Sequence, residues 1–197
     1  SYGLESQYVL FAKGELIKYR DKDYHKAMEW LMRAIHVTLP DFNGRIPLRN
    51  NLLTYDEIMI INGIAILHAK MNDIMTAIQL GMWLKEYMEN KIVDGKMKTA
   101  KYPMILYNLS NWFGDEKCHM EAFQMAEEGA DFCVKYGNFV AFPILVFNKG
   151  ASLAELGMID EAKKYLHQAI TILEAMKKPK RVKIAIDWCK EHYDIEF

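Results

Sequence analysis

A chain of 197 residues, 51% of them hydrophobic and 12% aromatic, carries enough apolar surface for one medium domain or a short array of repeats. Its 25 Lys and Arg against 26 Asp and Glu give a formal net charge of −1, which excludes the basic footprint on which sequence-independent nucleic-acid affinity rests. Apolar runs such as 139–148 reach about half the length of a bilayer span and are broken by Pro143, so no membrane partner is expected.

The first element is a helix that runs straight from the first residues, and Ser1 in place of an initiator methionine predicts a piece of a longer protein. A second helix follows: in GELIKYRDKDYHKAMEWLMRAI, Gly14, Asp23-Tyr24, Ala27, Leu31 and Ala34 have the spacing of two helices joined by a tight turn. Pro, Gly and Asn cluster in PDFNGRIPLRNN, residues 40–51, which predicts the longest loop. Thr54 with Glu57 three residues on is a capping box and starts the next helix. INGIAILHAKMNDIMTAIQLGMWL then repeats the pattern, with Ala65, Asn72-Asp73 at the turn, Ala77, Gly81 and Leu84.

The second half contains an echo. YPMILYN at 102–108 returns as FPILVFN at 142–148, and the offset of 40 also pairs Ala122 with Ala162, Ala126 with Leu166, Gly129 with Ala169 and Phe132 with Ile172. Pro103 and Pro143 are each expected in the first turn of a helix, where a missing N–H is tolerated. In the last unit Gly150, Leu153, Gly157, Ile159, Ala162, Leu166 and Ala169 fall at offsets 0, 3, 7, 9, 12, 16 and 19, with the turn at Gly157 and Asp160. Pro179 opens a final amphipathic helix that would cap the stack.

This arrangement resembles the tetratricopeptide repeat, in which small residues sit where two antiparallel helices cross closely. Four units are counted, with marker alanines Ala27, Ala77, Ala122 and Ala162 spaced 50, 45 and 40 apart. That is longer than the roughly 34 residues of the standard unit. The expected fold is all-α: a single domain over 1–197, tetratricopeptide-like helical repeats forming a right-handed superhelix of about nine helices with a C-terminal capping helix.

In such repeats the first helix of each pair lines a concave groove. The inward candidates are Met59, Asn62 and Ile66 in the second unit, Met104, Tyr107, Asn108 and Asn111 in the third, and Ile144, Phe147, Asn148 and Ala151 in the last. An Asn side chain can donate to one group and accept from another, so amides on successive helices suit the backbone of an extended peptide, whatever its side chains. The alternative is that Asn108 and Asn148 are structural, each bonded to a neighbouring helix.

Other chemistry has little support. Histidines at 25, 36, 68, 119, 167 and 192 lack metal-ligand spacing, and His68 reads as a packed core histidine. Cys118, Cys133 and Cys189 form no C-x-x-C pair, which fits a reducing cytoplasm, and Cys133 lies in an apolar stripe as a small hydrophobe. The Lys and Arg concentrated between 163 and 192 read as a solvated face. No cofactor, no metal and no catalytic residue is expected.

NLLTYDEIMIINGIAILHAKMND, YNLSNWFG, MEAFQMAEEGADFCVKYGN and FPILVFNKGASLAELGMIDEAKKYL closely resemble the repeat domain of Gram-positive peptide-sensing transcriptional regulators of the Rgg/PlcR type, over residues 5–193. The resemblance implies a cytoplasmic regulator that binds a short signalling peptide in its groove and forms a homodimer, with Asn62, Asn108 and Asn148 holding the peptide backbone. The family's helix-turn-helix has no counterpart in residues 1–24, so any contact with DNA is expected through a domain absent from this chain. Related proteins join such repeats to a helical bundle and act as response-regulator phosphatases, and a plain adaptor for partner proteins is the other alternative. Trp188 and Tyr193, on the C-terminal helices, are expected at an exposed face that could pair two copies.

Overall fold

The computed structural model describes residues 2–45, 52–90, 94–193 and 195. Among them nine α-helices and no strand occur: α1 (Tyr2–Leu16), α2 (Tyr24–His36), α3 (Tyr55–Lys70), α4 (Ile74–Asn90), α5 (Gly95–Asp115), α6 (His119–Tyr136), α7 (Phe142–Glu155), α8 (Ile159–Ala175) and α9 (Pro179–Tyr193). The all-α expectation holds. The chain forms two compact units, Ser1–Ile92 and Val93–Phe197. In the first, α1 packs on α2, α2 on α3 and α3 on α4; in the second, α5 to α9 pack in chain order and α7 also touches α5.

The turns carry the repeat. Lys22, Asn72, Lys117 and Gly157 all have a left-handed backbone, with φ of 55°, 64°, 60° and 80°. Each precedes a marker alanine by five residues, so the turns repeat the same shortening spacing as the alanines. Behind three of them an N–H reaches back five residues to close the helix end: Asp73 to the His68 carbonyl (2.9 Å), Cys118 to Phe113 (2.8 Å) and Met158 to Leu153 (2.9 Å). Asp23 and Asp73 also cap the helices that follow, accepting from the N–H of Lys26 (3.0 Å) and Thr76 (3.3 Å). Asp160 does not do so; it lies within the first turn of α8, behind Met158.

Small residues sit at the crossings, as expected. A β-carbon on Gly14 would stand 2.8 Å from Leu31, one on Gly129 2.8 Å from Leu145, and one on Gly150 2.7 Å from Leu166. Ala27, Ala65, Ala77, Ala122, Ala126, Ala162 and Ala169 are buried with them. The Thr54 capping box forms with both of its bonds. His68 is a satisfied histidine, one ring nitrogen 3.0 Å from Asp73 and the other 3.0 Å from the Gly44 carbonyl, so it ties the loop to α3. Residues 40–45 of that loop are non-helical, while 46–51 lie outside the described residues. α1 ends in a π-helical turn, Ile17–Asp21, in which Lys18 is buried against Glu15 and lies over the Tyr19 ring.

Two expectations need correction. Pro143 does stand in the first turn of α7, but Pro103 is interior to α5. The reason is Asp94, whose carboxylate accepts from the N–H of Lys96 (3.0 Å) and Met97 (3.1 Å) and so starts the helix two turns before the proline. Pro103 has no N–H for the Thr99 carbonyl one turn back. Asn138, in the turn between α6 and α7, supplies the missing donor: its side-chain Nδ2 lies 2.7 Å from that oxygen. The second correction concerns Trp188 and Tyr193, which are half-buried rather than open. Trp188 meets Phe147 edge-on at 5.3 Å, and the Tyr193 hydroxyl donates to Glu155, so both hold α9 to the body of the unit.

Candidate functional site

α3 buries Ile58, Ile60, Ile61, Ile64, Ala65 and Leu67, and with only Tyr55 and Lys70 exposed it leaves little open face. Asn62 shares that interior at 6% exposure, with Met59 and Ile66 half-buried beside it. Nothing about α3 by itself presents a row of polar groups.

The second unit is different, because α5 and α7 touch. Tyr107 packs on the cluster of Cys133, Ala141, Leu145, Val146 and their neighbours. That anchors one side of α5 and leaves Asn108 and Asn111 half-buried along it. From α7, Asn148 reaches across. Its Nδ2 donates to the Ser110 hydroxyl (2.6 Å) and to Asn111 Oδ1 (2.8 Å). Ser110, 3% exposed, donates its own hydroxyl hydrogen bond to the Tyr107 carbonyl at 2.9 Å.

The bookkeeping of this cluster gives its chemical capacity. An amide has two N–H donors and one carbonyl acceptor. Asn148 uses both donors inside the protein, and Asn111 uses its acceptor. What remains is the Asn148 carbonyl oxygen and the Asn111 N–H2 group, neither of them an orphan in the dry interior. One acceptor and one donor, fixed side by side by a bond between helices, match the C=O and N–H of a passing peptide unit. Asn148 therefore holds α5 and α7 together and keeps its carbonyl oxygen out of those bonds.

The remaining candidates fall at varied places. Met104 is 39% exposed, and Ile144 and Ala151 are half-buried on α7. Phe147 packs with Trp188 rather than standing alone. Sequence reasoning missed Ser110 and Lys149. Lys149 is 7% exposed, its Nζ 3.3 Å from Glu127 and 4.4 Å from the centre of the Tyr165 ring. A single cation inside the apolar run of FNKGASLA was the available signal, since a buried Lys needs a partner.

Burial pushes the Cys133 and Cys189 thiols up to about 11, so neither is a thiolate at neutral pH. Among the described residues no three His, Cys, Asp or Glu side chains converge as a metal-binding set, and no helix is long and apolar enough to cross a membrane. Compared with known proteins, the chain matches no family model and no curated protein.

Proposed function

We propose that this chain is the peptide-binding regulatory domain of a transcriptional regulator, and that a short signalling peptide lies extended on the face shared by α5 and α7. The observation that supports this is the Asn111–Asn148 bridge, which leaves one donor and one acceptor over for a peptide backbone. Met104 and Ile144 supply apolar contact on either helix. The near-neutral charge argues that DNA is held by a separate domain, with this one acting as a cytoplasmic sensor, in a homodimer.

Asn111→Asp tests the reading cleanly. The carboxylate still accepts from Asn148, so the bridge survives, but the spare donor is gone. Isothermal titration with apolar heptapeptides should show affinity falling about 2- to 13-fold, the equivalent of one net hydrogen bond. Thermal stability should stay within about 0.5 kcal/mol. Affinity unchanged in Asn111→Asp would remove these amides from the site.

A further inference from the structure

We infer that the second unit holds a pocket for the carboxyl-terminal end of an extended peptide whose last residue is bulky and apolar, between the first turns of α5 and the turn that joins α6 to α7. The inference rests on the peptide-binding reading above and adds which end and which side chain of the peptide are recognised.

A cleft of about 580 Å3 opens there, lined by Lys96, Thr99, Met104, Phe139, Val140 and Ala141 among others. Its size lies in the range of sites for small ligands, room enough for the last residue of a peptide. Three of its apolar side chains stand open to solvent: Val140 at 75%, Phe139 at 53% and Met104 at 39% exposure. Apolar groups gathered open around a concavity point to a partner that covers them. The surrounding backbone is held firmly. Asn138 donates to the Thr99 carbonyl that Pro103 leaves free, and its own Oδ1 accepts from the Val140 N–H at 3.2 Å, so a single side chain fastens the turn to α5. Phe139 in turn meets Phe142 edge-on at 5.8 Å.

The charge around the cleft is one-sided. Lys96 lines it, no Asp or Glu does, and Lys96 makes no ion pair among the described residues. Asp94, the nearest carboxylate along the chain, caps the helix start. A cation beside an apolar cleft suits a carboxylate attached directly to an apolar side chain, which is what a peptide's last residue offers.

The spacing agrees with the amide bridge. Seven positions separate Met104 from Asn111. That is about 10 Å along a helix, and an extended peptide covers it in about three residues. The peptide would run antiparallel to α5, its backbone bonded at Asn111 and Asn148 and its last side chain beside Met104.

Affinity selection of a randomised synthetic heptapeptide pool on the full chain, once as free acids and once as C-terminal amides, tests this. Phe, Leu and Met should be enriched at the last position, and the acids should bind about 2- to 5-fold more tightly than the matching amides. Lys96→Gln should abolish the difference between acid and amide. Phe139→Ser should weaken the selected peptides by about tenfold, through lost apolar burial. Both substitutions are at exposed positions and should leave folding intact. Peptides that depend on the Asn111 donor but show no preference in their last residue or their free carboxylate would overturn the pocket and leave the peptide-binding reading standing. Recovery of no peptide above a blank resin overturns both.

Discussion

Two glycines seven residues apart do different physical work. At Gly150 the backbone is helical and space is short: an added β-carbon would lie 2.7 Å from Leu166 Cγ and 3.0 Å from the Leu166 backbone nitrogen. At Gly157 space is open, with nothing within 4 Å, but φ is +80°. Gly150→Ala and Gly157→Ala should each cost about 1–3 kcal/mol, the first by overpacking and the second by backbone strain. Asn separates the causes, because it tolerates the left-handed conformation yet is larger than Ala. Thermal melts should therefore show Gly157→Asn milder than Gly157→Ala, and Gly150→Asn worse than Gly150→Ala. The opposite order at either site would show its cause to be misassigned.

At the scale of an element, α5 is a helix whose interior proline is repaired from outside. The Pro103–Thr99–Asn138 arrangement predicts coupling between two residues that do not bond each other directly. Asn138→Ala should cost about 1 kcal/mol, since it strips the donor from a half-buried carbonyl. With Pro103→Ala already present, residue 103 regains an N–H for Thr99, and most of that cost should vanish. Denaturant unfolding of the four proteins of this cycle should give a coupling energy of about 0.5–1.5 kcal/mol. Additive effects would mean the carbonyl finds water instead. This element also marks where the sequence misled: the likeness of YPMILYN to FPILVFN places both prolines in a first turn, whereas Asp94 decides where α5 begins. Helix starts are set by local capping chemistry, and two similar strings can sit at different depths within a helix.

At the scale of the molecule, what was legible followed from local rules. The repeat register could be read at Asn72 and Gly157, residues that favour a left-handed turn, and at Ala77 and Gly150, small enough for a close crossing, whereas Lys22 and Lys117 take the same turn conformation unmarked. The bridge from Asn148 to Ser110 and Asn111 could not, since it depends on which side chains of α5 and α7 come opposite each other. Asn148 was visible as a candidate; its partner Ser110 was not, because a serine in mid-helix resembles any other small polar residue. The division into two units was equally hidden, for the repeat spacing runs through 92–93 without a break in pattern.

The two buried lysines give that division a clock. Lys18 lies in the first unit and Lys149 in the second, at 5% and 7% exposure, and an amine shielded in this way reacts with an acylating reagent only when its surroundings open. Mass-spectrometric acylation at increasing times therefore reads an opening rate for each unit in one experiment on one unmodified protein. Lys18, in the π-helical turn at the end of α1, should react sooner than Lys149, because Lys149 is enclosed by three helices, α6, α7 and α8, that must part before it is reached. Identical rates would mean that the two units breathe as one cooperative block.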